Sequence, residues 1–119
     1  MTKINSGNAV NPSFQGRLHL TKMAADNLNE KMQKLAFSKQ RKKVLNEYDK
    51  FIHKVINSNF DVYVSELPEG DLLANVSKSK SSKMLAYAIN KNNIFSKIGI
   101  KNPIKFMQKA FQKAQKASE

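Results

Sequence analysis

The chain of 119 residues contains no cysteine and no tryptophan, and only four glycines and three prolines. The absence of cysteine excludes disulfides and thiolate chemistry, so we expect packing alone to hold the fold together. The glycines are isolated from one another, which excludes a glycine-rich loop that binds nucleotide phosphates. No apolar run approaches the ~20 residues that a membrane-spanning helix needs. With 40% hydrophobic residues, the composition is that of an ordinary globular protein.

The N-terminus also lacks the apolar stretch of a secretory signal peptide. Residues 1–12 are polar and end in Asn11-Pro12, a composition that is typical of a flexible leader. We therefore expect a flexible leader over residues 1–12, a single domain over residues 13–119, and a cytoplasmic protein.

Residue patterns that support catalysis or metal binding are missing. His19 and His53 have no histidine or carboxylate partner at the spacing of metal ligands. Neither lies in a pattern with a nucleophilic serine and an orienting acid, and the nine acidic residues show no paired arrangement. The sequence therefore predicts a binding protein with no metal and no cofactor rather than an enzyme.

Acidic residues are absent from a large part of the chain. Residues 72–118 contain ten lysines and no acid, whereas residues 1–71 contain 11 basic and 8 acidic residues. This uneven charge favours an anionic partner such as RNA, the ribosome or another polyanion. The alternative is compositional, because 19 of the 21 basic residues are lysine. Lysine is favoured by AT-rich genomes, whereas arginine is better suited to bidentate phosphate recognition.

Three groups of basic residues are candidate contacts for a polyanion. A predicted final helix carries lysines one turn apart, and no acid offsets their mutual repulsion. A loop of serine and lysine offers hydroxyl donors and positive charge to phosphate oxygens. A third group contains an arginine, which can bind phosphate through two donors. Each group also fits an ordinary solvated surface. The candidates are Arg41, Lys42, Lys43, Lys78, Lys80, Lys83, Lys101, Lys105, Lys109 and Lys113.

Three aromatic residues accompany these basic groups. Tyr63 and Tyr87 fall in predicted strands, and Phe106 falls between the lysines and the apolar stripe of the final helix. Exposed rings beside lysine suit stacking on nucleic-acid bases or contact with a protein partner. The alternative for all three is packing in the core or at a sheet edge.

Alternating apolar and polar residues predict a short strand at about 13–20 and a hairpin with strands at 60–65 and 72–77. Pro68 and Gly70 supply the turn of that hairpin. Residues 84–89 fit either a third strand or a short helix, and we favour the strand. Residues 90–101 show no pattern and are expected to be irregular.

Helical spacing of apolar residues predicts a helical region from about 22 to 56 that is broken near 37–39. The break is required because the face of Leu28 and Met32 leads onto Lys39 and Lys42 when it is extended. Asn102-Pro103 is a typical helix start and predicts a final helix to about Lys116. Its apolar stripe is Ile104, Met107, Phe111 and Ala114.

These elements predict an α+β fold in the order strand, broken helix, three strands, helix, with a mainly antiparallel sheet and the helices packed on one face. This order is similar to that of ribosome hibernation factors, and its latter part looks like a double-stranded RNA-binding domain. Both groups contact RNA, which the resemblance implies here as well. The final helix begins Pro103-Ile104-Lys105-Phe106-Met107 and lacks the Lys-Lys-x-Ala-Lys start of the double-stranded RNA-binding domain, so no residue role is carried over.

We therefore expect a small, basic, non-enzymatic protein that contacts RNA, the ribosome or another polyanion through its lysine-rich C-terminal half. The alternative is a protein-interaction or adaptor module, or a homodimer, with no role in nucleic-acid binding. In that case the lysine content reflects genome composition alone.

Overall fold

The computed structural model describes residues 16–35, 38–81, 83–91 and 103–118. The expected α+β class is confirmed. The predicted leader and residues 92–101 of the predicted irregular segment lie outside the described residues. The elements in chain order are β1 (Leu18–Leu20), α1 (Lys22–Gln33), α2 (Ser38–Ile56), β2 (Phe60–Glu66), β3 (Leu72–Lys78), β4 (Met84–Asn90) and α3 (Lys105–Ala117).

The four strands form one sheet in the order β1-β2-β3-β4. The β2–β3 and β3–β4 pairs are antiparallel, as expected, and residues 84–90 form a strand rather than a helix. β1 is parallel to β2, with Leu18 opposite Val62, because the chain crosses over through α1 and α2 before it enters β2. β1 covers residues 18–20 of the strand predicted at 13–20, of which residues 13–15 lie outside the described residues.

The β2–β3 turn has the geometry that its sequence predicts. Gly70 adopts φ 86°, a conformation that costs glycine little. The amide of Leu67 donates to the carbonyl of Asp71 at 2.8 Å, and that of Gly70 donates to Leu67 at 2.9 Å. These bonds close the hairpin and set the register in which Glu66 lies opposite Leu72.

The expected break in the helical region is confirmed, since α1 ends at Gln33 and α2 begins at Ser38. Thr21 caps α1, where its side chain accepts from the amide of Ala24 at 3.1 Å. The break lets α1 and α2 both bury their apolar faces despite the change of phase between them. The buried apolar residues are Ala24 and Leu28 in α1 and Val44, Phe51 and Val55 in α2.

The core lies between one face of the sheet and the three helices. Phe111 of α3 is at its centre, with its ring edge-on to Phe51 of α2 at 5.8 Å and to Phe60 of β2 at 5.7 Å. Burial of such a ring contributes about 1.5–3 kcal/mol. The strands supply buried residues of one parity to the same core, namely Val62, Val64, Leu72, Ala74, Val76, Ala86 and Ala88. Residues of the other parity point to the opposite face of the sheet, where Tyr63 and Tyr87 are exposed.

α3 begins later than its sequence predicts. Pro103 and Ile104 form a turn before the helix and are buried, and the helix starts at Lys105. The amide of Met107 donates to the carbonyl of Ile104 at 3.1 Å, a short-range bond that tightens the entry. Pro103 therefore packs in the core and does not occupy the first position of the helix. Asn102 lies outside the described residues.

Gly16 allows a close approach of three backbone segments. A Cβ atom at this position would lie 2.1 Å from the carbonyl oxygen of Val55 and 2.3 Å from that of Phe60. The Gly16 amide donates to the carbonyl of Ser58 at 2.8 Å. The start of β1 is thus held against the end of α2 and the start of β2.

Candidate nucleic-acid interface

The open face of the sheet, which faces away from the helices, carries a row of four polar and aromatic residues. His19 lies opposite Tyr63, Tyr63 lies opposite Asn75, and Asn75 lies opposite Tyr87. The row thus crosses all four strands. Both tyrosines are exposed, Tyr63 at 45% and Tyr87 at 52%. These two predicted stacking candidates therefore lie on the same surface. One strand, β3, separates them, and its residue Asn75 lies between them.

The ring of Tyr63 is held in place by two neighbours. The imidazole of His19 stacks on it, with ring centroids 4.7 Å apart and an interplanar angle of 6°. The Tyr63 hydroxyl donates to Oδ2 of Asp61 at 3.5 Å. Asp61 is itself fixed, because its Oδ1 accepts from the backbone amide of Arg17 at 3.0 Å and from the Ser79 hydroxyl at 3.2 Å. One face of the Tyr63 ring is covered by His19, and the other is directed towards β3.

The end of β3 and the loop that joins it to β4 present three lysines at one end of the sheet. Lys78, Lys80 and Lys83, here called the basic turn, are all exposed. Lys80 adopts φ 67°, and the amide of Ser81 donates to the carbonyl of Lys78 at 3.0 Å. The turn is tied to the sheet because the Ser79 amide donates to the carbonyl of Asn59 at 2.8 Å.

α3 presents a second line of lysines, the lysine stripe, formed by Lys105, Lys109, Lys113 and Lys116. All four are exposed, while the opposite side of the helix is buried against the sheet. Lys109 and Lys113 line a shallow groove whose other wall is β4, from Met84 to Ile89. The stripe is therefore turned towards the β4 side of the sheet rather than towards α2.

The basic turn and the middle of the lysine stripe lie at the same end of the sheet. Phe111 of α3 contacts Phe60, and Phe60 lies opposite Lys78 at the end of β3. Lys109 and Lys113 lie two residues before and two residues after Phe111. These lysines and the basic turn form the basic end of the molecule.

The lysines of this end are not neutralised within the described part of the chain. None of the ion pairs among those residues, Lys34–Glu30, His53–Asp49 and Lys91–Asp71, includes a lysine of the basic turn or of the stripe. Asp61, which lies beside the basic turn, is buried and bonded to backbone and hydroxyl donors. The positive charge is therefore directed to solvent.

Arg41, Lys42 and Lys43 lie elsewhere, in the first turns of α2. The Arg41 guanidinium donates through Nη2 to the carbonyl of Leu35 at 3.1 Å, so it joins the end of α1 to α2. Lys42 and Lys43 are exposed. They are about 20 Å along α2 from Val55, which packs at the basic end, given a rise of about 1.5 Å per residue. The structure does not bring this group together with the other two, and Lys101 lies outside the described residues.

Phe106 is not a surface residue. Its side chain is only 8% exposed and belongs to the core between α3 and the sheet. The sequence places it at the border of the apolar stripe, and α3 buries a wider stripe that includes both Phe106 and Ala110. We therefore correct the interpretation of Phe106 as a stacking residue and assign it to packing.

His19 and Asn75 are the residues of the row that sequence reasoning missed. Each lies between apolar residues of a strand, so the alternation indicates that each points away from the core. Their alignment with the tyrosines depends on strand register, which the alternation does not supply.

Neither a metal centre nor a membrane span is found in the parts of the chain that the structure describes. No three of their His, Asp and Glu side chains are grouped so that they could hold a metal ion. None of their helices has the length and apolar character to cross a bilayer.

The order of elements agrees with the expected one, strand, broken helix, three strands, helix. No family model, no curated protein and no solved structure matches this chain. The likeness to ribosome hibernation factors and to double-stranded RNA-binding domains is thus one of element order, which does not assign a function by itself.

Proposed function

We propose that the protein is a non-enzymatic RNA-binding module that contacts the phosphate backbone through its basic end. The observation that carries this proposal is the shared position of the basic turn and of Lys109 and Lys113 of α3 at one end of the sheet, with no ion pair to these lysines among the described residues. Lysines gathered on one side bind a polyanion far better than the same number dispersed over the surface. A cytoplasmic location follows from this proposal, because RNA and ribosomes are found there.

The energetics of α3 support an external partner. Lys105, Lys109 and Lys113 follow one another at a spacing of four residues, and like charges at that spacing repel by about 0.2–0.5 kcal/mol per pair. Lys105 also lies in the first turn, where the helix dipole disfavours a cation. An RNA backbone relieves both costs and releases its condensed counterions to solvent.

The proposal is tested by the salt dependence of binding to a fluorescein-labelled single-stranded RNA, followed by fluorescence anisotropy. We expect the affinity to fall steeply between roughly 50 and 300 mM salt. In the double variant Lys109→Gln/Lys113→Gln, the slope of log affinity against log salt should become shallower by about 1.4, or about 0.7 for each lysine lost.

The matched control is Lys22→Gln/Lys34→Gln, which removes the same net charge from two exposed positions, the first residue and the C-cap of α1. This control should keep the slope of the parent protein. An equal change in both double variants would mean that net charge alone determines binding, and a salt-independent affinity or no binding at low salt would contradict the proposal.

A second function, docking of a protein partner or of a second copy, is favoured by β4. This strand lies at the edge of the described sheet and exposes Met84, Tyr87 and Ile89. An edge strand with apolar side chains is a typical site of strand addition. Size-exclusion chromatography with light scattering separates the two functions, because a dimer without affinity for RNA would favour this one.

A further inference from the structure

The open face of the sheet contains a gap between two tyrosines. Tyr63 on β2 and Tyr87 on β4 both pair with Asn75 on the strand between them. Because adjacent strands are about 4.8 Å apart, the two tyrosines are attached roughly 9.5 Å apart. The side chain of Asn75 is shorter than that of tyrosine and is partly buried, whereas both tyrosines are exposed, so the two rings flank the position above Asn75.

The width of this gap suits one planar aromatic ring. Aromatic pairs place their centroids about 4.5–7 Å apart, so a ring stacked between two others needs roughly 9 Å or more between the outer rings. His19 already occupies such a position on the other side of Tyr63, at 4.7 Å with nearly parallel planes. A ligand ring above Asn75 would continue the stack towards Tyr87.

Asn75 supplies the polar group that such a ligand would meet. Its amide can donate two hydrogen bonds and accept others. No hydrogen bond within the described residues uses this side chain, and Asn75 is only partly buried. An amide without an internal partner at the base of an aromatic gap is suited to the polar edge of a nucleobase.

The charge around the gap matches the rest of a nucleotide. Lys78, at the start of the basic turn, is three residues along β3 from Asn75, roughly 10 Å away at the end of the sheet. Because it lies opposite Phe60, its side chain has the parity of the helix-covered face, and phosphates reach it around the end of the sheet. Lys80 and Lys83 extend the positive surface beyond it. A strand whose base enters the gap can therefore direct its phosphates towards the basic turn.

Resting on the proposed function, we propose that the RNA ligand is single-stranded and that one of its bases stacks between Tyr63 and Tyr87 above Asn75. Duplex RNA does not satisfy this site, because its bases are stacked on each other inside the helix. The basic end binds the backbone, and the tyrosine gap selects unpaired strands.

The experiment compares a fluorescein-labelled RNA strand of about 12 nucleotides with the same strand annealed to its complement, both at low salt. The intact protein should bind the single strand more tightly than the duplex. Tyr63→Ala and Tyr87→Ala should each weaken single-strand binding by about 10-fold, with little effect on the duplex, and Asn75→Ala should weaken it less. Tyr87→Phe should retain binding, because the ring and not the hydroxyl forms the stack.

The control variant is Met23→Ala, which removes an exposed apolar side chain from α1 (63% exposed) and should leave both affinities unchanged. Circular dichroism melting verifies that each variant folds. A second measurement uses RNA that contains 2-aminopurine, whose fluorescence falls when the base stacks on a ring. The fall should be smaller with Tyr87→Ala than with Tyr87→Phe.

The outcomes separate the two proposals. If neither strand nor duplex binds with salt dependence, the proposed function itself is wrong. If both bind with equal affinity, and the tyrosine variants change nothing, the RNA-binding function stands and the tyrosine gap is overturned as its base-binding site.

Discussion

The charged residues at the two ends of the sheet differ in whether they are paired within the molecule. At the β2–β3 turn, Asn27 of α1 donates through Nδ2 to Oε2 of Glu66 at 2.7 Å and to the carbonyl of Gly70 at 3.1 Å. Nζ of Lys31 donates to Oδ1 of Asn27, and Lys91 lies 3.6 Å from a carboxylate oxygen of Asp71. This acidic end, formed by the β2–β3 turn and the adjoining part of α1, pairs its charges within the molecule. At the basic end, Asp61 accepts from the Arg17 amide and from the Ser79 hydroxyl, and no lysine takes part in these bonds.

The contrast indicates which charges serve the fold. Lys31 is almost completely buried, and this burial lowers its pKa, although the nearby carboxylates of Glu66 and Glu30 raise it in part. Burial of a cation is tolerated only where partners compensate the lost hydration. The exposed lysines of the basic turn and of the stripe contribute nothing comparable to folding, so they can be changed for function at little cost in stability.

The largest predicted difference between the ends concerns their glycines. Gly16→Ala should destabilise the protein by about 3 kcal/mol, because the new methyl group would overlap backbone carbonyls that have no room to move. Gly70→Ala at the acidic end should cost only about 1–2 kcal/mol, since its positive φ is strained for alanine. Urea unfolding followed by circular dichroism measures both.

A Gly16→Ala variant as stable as the parent would contradict this prediction, because the backbone before β1 would then not be closely packed at the basic end. Single-stranded RNA binding by the folded fraction of Gly16→Ala should be retained. This second measurement separates the packing role of Gly16 from the binding role of the lysines.

Asp61 is expected to show the next largest effect. Asp61→Ala removes the acceptor of the Arg17 amide and of the Ser79 hydroxyl, and an unsatisfied group of this kind costs about 1–3 kcal/mol. Asp61→Asn keeps one acceptor oxygen and should cost less. Because it also removes a negative charge from the basic end, we expect Asp61→Asn to bind RNA more tightly than the parent protein. A weaker RNA affinity in a folded Asp61→Asn protein would contradict the assigned charge of this end.

The third prediction compares one charged residue from each end. Glu66→Gln weakens the bond from Asn27 and removes a negative charge near Lys31, so it should cost about 1 kcal/mol of stability. Lys113→Gln removes an exposed charge and should change stability by less than about 0.5 kcal/mol, while it weakens RNA binding. Urea unfolding and fluorescence anisotropy on both variants provide the measurements. The reverse pattern, a stable Glu66→Gln and an unstable Lys113→Gln, would remove the distinction between the two ends.

Local patterns account for the parts of the fold that the sequence predicts well. The hairpin of β2 and β3 follows from alternation and from Pro68 and Gly70 in the turn, which all act within neighbouring residues. The break between α1 and α2 follows from a change of apolar phase that is visible in the sequence alone. Strand and helix types are therefore predictable, although α3 begins at Lys105 rather than at Pro103.

The site depends on contacts between distant parts of the chain, and these are not encoded in local patterns. Tyr63 and Tyr87 were identified as candidates, but only the register of β2, β3 and β4 aligns them with Asn75. The burial of Phe106 depends on which side of α3 packs against the sheet, and local patterns do not determine the width of that buried side. The parallel pairing of β1, which brings His19 onto Tyr63, requires the crossover through two helices to be known.

The smallest predicted effects concern stability in alkaline solution. Burial lowers the pKa of Lys31, so just below the ordinary lysine value of about 10.4 the unfolded chain holds a proton that the folded protein has released. Lys31 therefore makes the folded state more stable as pH rises through this window. Tyr48 in α2 has the opposite effect, because burial raises its pKa. The contribution of Tyr48 to the free energy of unfolding is fully present below the ordinary tyrosine pKa of about 10 and is lost as pH rises further.

Urea midpoints measured from about pH 7 to about pH 10.5 distinguish the two residues. Relative to the parent protein, Lys31→Met should lose stability progressively towards the upper end of this range, since the gain supplied by Lys31 is absent. Tyr48→Phe should instead gain relative stability there. If Lys31→Met follows the parent curve at a constant offset, Lys31 does not change its protonation on folding. Folding would then change the protonation of Lys31 no more than that of the exposed lysines at the basic end. The lysines of the two ends would differ only in their exposure to solvent.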